Sequence, residues 1–217
     1  MISTENINAV IFDLDNTLAD RKYAFFKHAE KCAEDFLADI RLKEKFTARL
    51  IELDCNGYRP KKEVYETVCG EFPLNCTVKE ITDSWNTNAD RFIKPEPYAE
   101  EILGYLKEKY TLALLTNGHT LTQNIKLEKV GLRKYFKAVV ISEETGTAKP
   151  DPEIFFMICR RINTAPENCV YIGDNFQNDI KGALSAGMKA VLYDRYKQSE
   201  ENYTPTVSRL EELKLLL

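Results

Sequence analysis

The chain has 217 residues, 44% of them hydrophobic and 29% charged, with a formal net charge of −4. That length and balance suit one α/β core with a modest insertion. The mild acidity argues against a nucleic-acid polymer or an anionic membrane as partner. Met1 to Asn6 lacks the basic start and apolar stretch of a signal peptide, and no apolar run reaches bilayer length. The expectation is a soluble, cytoplasmic protein, a monomer or small homo-oligomer. Its six cysteines (Cys32, Cys55, Cys69, Cys76, Cys159 and Cys169) form no CxxC pair, so reduced thiols packed as small core residues are expected.

The first apolar run, over 7–13, reads as a strand and passes directly into Asp13, Asp15 and Asn16-Thr17. Carboxylates at the end of a buried strand are costly unless paired, so a compensating partner is expected. From 19 to 95 the rhythm is helical. Phe25, Ala29, Cys32, Phe36 and Ile40 recur at helical spacing, as do Val78, Ile81, Trp85, Ala89 and Phe92. Asn56-Gly57 and Arg59-Pro60 punctuate the segment as turns, and Trp85 reads as packing. An all-helical unit is therefore inserted after the first strand, at the strand ends.

Four more strands follow at 110–116, 137–141, 168–173 and 189–193, separated by helical patterns near 97–108, 120–130, 152–163 and 177–186. Such alternation predicts a doubly wound, Rossmann-like parallel sheet with helices on both faces. Thr120-Leu121-Thr122-Gln123 has the form of a capping box, with Gly131 as the helix stop. Asp151-Pro152-Glu153 supplies an N-cap, a first-turn proline and an acid at the positive helix end. Ser208 to Leu217 is expected to form a last helix on the core. His28 and His119 lack ligand spacing, so neither zinc nor a cysteine nucleophile is indicated.

Four short segments carry the chemistry. Asp13-Leu14-Asp15-Asn16-Thr17, Leu115-Thr116-Asn117-Gly118, Lys149-Pro150-Asp151-Pro152 and Gly173-Asp174 through Asp179 each follow a strand or lead into a helix. Singly, each reads equally well as a turn or an N-cap. Together they place carboxylates, a hydroxyl, an amide and one lysine at one sheet edge. That inventory suits a hard cation such as Mg2+ and phosphoryl transfer, which rests on positioning and charge neutralisation.

In order and spacing these segments resemble the four motifs of the haloacid dehalogenase superfamily, in its phosphatase-type branch with an α-helical C1 cap. The resemblance covers nearly the whole chain. It implies a core of residues 1–18 and 96–217 and a helical cap of residues 19–95. It further implies a Mg2+-dependent phosphomonoester hydrolase acting on a small phosphorylated metabolite, a nucleotide or sugar phosphate. In that reading Asp13 is the nucleophile and Asp15 the general acid and base. Mg2+ is held by Asp13, the main-chain carbonyl of Asp15 and Asp174. Asp179 and Asn175 stand behind the metal, Asp179 orienting a ligand water or Lys149. Asp13, Leu14, Asp15, Thr116, Asn117, Gly118 and Lys149 surround the phosphoryl group. Two departures stand out: Asn175 replaces a common Ser or Thr, and Pro95-Glu96-Pro97-Tyr98-Ala99 lacks a glycine common at the return to the core.

Outside the motifs, His119, Arg21 and Arg59 are weak candidates for substrate selection. Each has a plainer reading, as an exposed histidine, a solvated hinge beside Lys22 and Tyr23, and a charged helix start with Tyr58, Lys61 and Lys62. A 2-haloacid dehalogenase needs neither cation nor acid, so Asp15 and Asp174 weigh against it. A phosphomutase would use the same motifs. A phospho-accepting regulatory protein would lack Asp15 and the insertion.

Overall fold

The computed structural model describes residues 5–88, 91–197, 199, 203 and 205–217. Ala89, placed on a helical stripe by its spacing, lies outside the described residues. The chain divides into two compact units, residues 1–20 with 95–217, and residues 21–94.

The first unit is built on a six-stranded, all-parallel sheet in the order β3-β2-β1-β4-β5-β6. Its strands are β1 (Ala9–Phe12), β2 (Thr111–Thr116), β3 (Ala138–Ile141), β4 (Cys169–Gly173), β5 (Lys189–Tyr193) and β6 (Thr206–Val207). β1 lies at the centre, with Phe12 in register with Leu114 on one side and Ile172 on the other. Because side chains alternate along a strand, Ala9 and Ile11 join Ala113, Leu115, Tyr171 and Leu192 on one face. There they pack against Ile154, Phe155, Ile158 and Ile162 of α8 (Pro152–Ile162). A strand buried on both faces needs this continuous apolar run. Truncating Ile11 to alanine should cost ~2–5 kcal/mol.

The remaining helices of this unit are α5 (Ala99–Leu106), α6 (Thr120–Lys129), α7 (Ser142–Thr145) and α9 (Gly182–Ser185). Asp151 caps α8 as expected, accepting from the Glu153 N–H at 2.9 Å, and Gly131 follows α6 at φ 71°. Two expected helices take other forms, and a sixth strand is added. The helix anticipated over 177–186 is a wide π-type turn, Phe176–Lys181, leading into the short α9. The tail forms a 3-10 turn over Leu210–Leu215, anchored by buried Leu210 and Leu213. The two-residue β6 is too short to leave an alternating pattern.

The second unit is helical: α1 (Arg21–Phe36), α2 (Lys43–Asp54), α3 (Lys61–Glu71) and α4 (Val78–Asn88). Its core joins Phe25, Ala29 and Cys32 of α1 to Phe46 and Leu50 of α2, Val64, Tyr65 and Val68 of α3, and Ile81 and Trp85 of α4. All six cysteines are free thiols, with Cys32, Cys159 and Cys169 buried and Cys55 exposed. Among the described residues no helix is long and apolar enough to cross a membrane.

Candidate active site

The four segments meet at the carboxyl ends of β1, β2 and β4. Asp13 continues β1 by one ladder bond, its N–H donating to the Ile172 carbonyl at 2.9 Å. It keeps the facing of Ile11, toward Lys149. The Lys149 ammonium is buried and surrounded: it donates to Asp13 Oδ1 and Asp179 Oδ1 at 2.6 Å each, to the Tyr171 hydroxyl at 2.9 Å, and to the Leu115 carbonyl at 3.3 Å. Burial alone would discharge this lysine, but Asp13 and Asp179 outweigh it and hold the ammonium's pKa above the ordinary range.

The carboxylates lie close together. Asp13, Asp174 and Asp179 each present an oxygen within 4.8 Å of the others. Burial pushes Asp13 up to about 7, with Lys149 pulling down and Asp179 pushing up. Burial, then Asp179 and Asp13, raises Asp174 well above the carboxylate range. Three carboxylates against one lysine leave the cluster short of positive charge. Hard oxygen donors, close spacing and this deficit fit a small divalent cation such as Mg2+.

Local sequence explains the placement. A side chain at Gly173 would collide with the Asp179 carboxylate, so glycine lets the turn fold back over the strand end. Asn175 caps that turn, accepting from the Asn178 N–H at 2.7 Å, while its own N–H donates to Asp179 Oδ2 at 2.9 Å. The Leu14 carbonyl accepts from Leu18 and Ala19 N–H groups, closing the tight turn that carries Asp15. The Asn117 amide donates to the Lys149 carbonyl at 3.0 Å and accepts from the Lys149 N–H at 2.9 Å. Asn117 thus fixes the Lys149 loop, so its side chain is committed rather than open to a phosphoryl oxygen. Gly118 donates its N–H to Ser142 Oγ at 3.0 Å.

Asp15 has partners that local patterns concealed. Lys126 and Gln123, both on α6, hold its carboxylate. The capping box expected at Thr120 does not form. His119 is the N-cap without a side-chain bond, Glu143 receives the Thr120 N–H at 2.6 Å, and Gln123 is diverted to Asp15 and Thr116. A signal existed: Gln123 shares the helical stripe of Leu127 and Val130, so a polar group was due on a buried face. Tyr171 was concealed because a strand tyrosine reads as core, and its ring does pack edge-on against Phe155 at 5.2 Å.

The peripheral candidates fall elsewhere. His119 is largely exposed and bonds Glu143 at 2.9 Å. Arg21 is no solvated hinge: it is buried and bidentate on Asp54 at 2.8 and 3.0 Å inside the helical unit. Arg59 pairs with Glu63 at 3.6 Å. At the return to the sheet, the absent glycine has a counterpart in Tyr98, which adopts the left-handed φ of 65° and whose hydroxyl accepts from Arg209 at 2.8 Å. Beside it, Arg195 joins Asp20 (3.1 Å) and buried Glu96 (2.6 Å), and the Glu96 N–H donates to the Leu18 carbonyl at 2.9 Å. The two chain passages that flank the insertion are thereby tied together.

Comparison with known proteins agrees with this geometry. The family model described as haloacid dehalogenase-like hydrolase matches residues 10–193. Glyceraldehyde 3-phosphate phosphatase from Methanothermobacter thermautotrophicus is 35% identical over 195 residues, covering 86% of this chain and 85% of its own. Human N-acylneuraminate-9-phosphatase is 31% identical over 208 residues, covering 86% and 82%. Among solved structures, the magnesium-bound HAD-hydrolase YfnB from Bacillus subtilis shares the fold at a TM-score of 0.78 and 23% identity, covering 97% of this chain and 98% of that one.

Proposed function

Since the chain belongs to the haloacid dehalogenase-like hydrolase family, in its phosphatase branch, we propose that it hydrolyses a small phosphorylated sugar through an aspartyl-phosphate on Asp13. The observation that carries this reading is the Lys149 ammonium held at 2.6 Å from Asp13 Oδ1, beside the carboxylates of Asp174 and Asp179. Asp13 attacks phosphorus as the bond to the leaving oxygen breaks. Asp15 gives that oxygen a proton, then takes one from the water that releases phosphate. Lys149, the Thr116 hydroxyl and the main-chain N–H groups of Leu14, Asp15 and Asn117 steady the transferring oxygens, while the Gly118 N–H stays with Ser142 Oγ. Asp13, the Asp15 carbonyl and Asp174 would hold Mg2+, with Asp179 keeping Lys149 in place. When bound, the ion neutralises charge on the phosphoryl oxygens.

The sugar-phosphate class is favoured because relatives that match most of the chain at 30% identity or better include phosphatases of glyceraldehyde 3-phosphate, N-acylneuraminate 9-phosphate and ribulose 1,5-bisphosphate. The pyrimidine 5'-nucleotidase relative covers 66% of the chain. Residues 19–95 are read as the cap that chooses the leaving group. Specificity constants over triose, pentose and nonulosonate phosphates, nucleotides and phosphoserine, measured with Mg2+, test the proposal. A sugar phosphate should lead. Loss of all turnover on chelation, and in Asp13→Asn, is expected. Turnover that survives either change contradicts it.

A further inference from the structure

Helix α6 carries two residues that no motif accounts for. Gln123 and Lys126 stand three positions apart, on one face, and both are buried, at 3% and 4% exposure. Lys126 Nζ donates to both Asp15 oxygens, at 2.8 and 2.7 Å. Gln123 Nε2 donates to Asp15 Oδ2 at 3.1 Å and to Thr116 Oγ1 at 2.7 Å. The approach is tight. Gly118 sits at φ 141°, and a Cβ there would meet the Gln123 side chain at 3.1 Å. An ammonium removed from water on a helix with open solvent beside it needs a specific return. Lys129, the other lysine of α6, is exposed.

Resting on the reading of Asp15 as proton donor, we propose that Lys126 is a positioning residue that aims the Asp15 carboxyl group at the leaving oxygen, and that Gln123 couples this aim to Thr116. The two-point contact fixes rotation about the Asp15 side chain. The phosphoryl-holding hydroxyl is locked to the same helix. In the step concerned, the phosphorus–oxygen bond of the ester breaks as the bond to Asp13 forms. In the acid form one Asp15 oxygen stays with Lys126 and the other carries the proton; the bonding pair stays on the leaving oxygen, and that proton neutralises it. A misaimed Asp15 costs most where the leaving group most needs that proton.

The test is a leaving-group series at saturating Mg2+, comparing p-nitrophenyl, phenyl and alkyl phosphates. Asp15→Asn is the reference. K126M should lower kcat on alkyl phosphates ~100-fold, within the range of general acid catalysis, and on p-nitrophenyl phosphate by no more than about threefold, with KM unchanged. K126R should recover part of the alkyl rate. Adding K126M to Asp15→Asn should cost nothing further. Gln123→Leu, which keeps the charge pair, should show the same selective loss more weakly. Equal losses on aryl and alkyl substrates, an effect confined to KM, or additivity with Asp15→Asn would overturn the role of Lys126. If Asp15→Asn itself spares alkyl phosphates, the reading of Asp15 fails first and this proposal falls with it. If Asp15→Asn is selective and K126M is not, only this proposal fails.

Discussion

Two clusters of buried charge, one in each unit, are unbalanced in opposite directions. In the helical unit Asp54 accepts from both Arg21 and Lys61, and despite burial the two cations hold its carboxyl below the ordinary range. The cations lie over the Phe25 and Trp85 rings. At the sheet edge the carboxylates outnumber the lysine, and Asp13 and Asp174 are driven upward. The first arrangement is complete as it stands and serves structure. The second gains its balance from a cation and a substrate, which is the mark of a working site.

Substitutions should separate the two. The largest effect belongs to Asp13→Asn: a fall in kcat of ~10⁴-fold or more with the melting temperature held or raised, checked by phosphatase assay and calorimetry. Asp54→Asn should do the reverse. Leaving Arg21 and Lys61 facing a neutral group costs ~3–5 kcal/mol of stability, read by urea denaturation, while the protein that remains folded keeps its kcat.

Acid should act on the helical unit through His28. Burial, with Lys61 nearby, lowers its pKa to about 4, while the unfolded chain protonates near the ordinary 6.5. The unfolded state therefore gains a proton first as pH falls, so stability present above 6.5 is lost progressively down to about 4, by about 3 kcal/mol. Trp85, the single tryptophan, lies 5.0 Å from His28 ring to ring and reports on this unit. Its denaturation midpoint should fall between pH 7 and pH 4, and His28→Leu should flatten that slope. Mg2+ at a hundredfold its dissociation constant should stabilise the wild type by ~2.7 kcal/mol, and chelation should reverse this. Smallest is Asp174→Asn, which relieves the crowded carboxylates: the metal-free protein should gain ~1 kcal/mol and lose its response to Mg2+.

The same contrast explains what the sequence disclosed. Asp13, Thr116, Lys149 and Asp174 were legible because each ends a strand or opens a loop in an ordered alternation, and topology brings strand ends together whatever the details. The sheet itself was legible because a buried parallel strand leaves a continuous apolar run. Pairings across long separations left no local trace: Lys126 with Asp15, Arg195 with Glu96, and Arg21 with Asp54 each join residues whose own neighbours suggest a solvated charge. Tyr171 was masked by its strand, and Gln123 by a cap that it does not make. The turn at Phe176–Lys181 departs from a plain helix where Asp179 must fold back over Gly173, a tertiary demand that helical spacing does not encode.

Fluoroberyllate, a mimic of the phosphoryl group, tests the central claim most directly. Fluorine NMR of the protein with Mg2+ should show bound fluoroberyllate that disappears with chelator and in Asp13→Asn, but survives in Asp54→Glu, which keeps the structural carboxylate. Bound signal persisting in Asp13→Asn, or with the chelator present, would contradict the account.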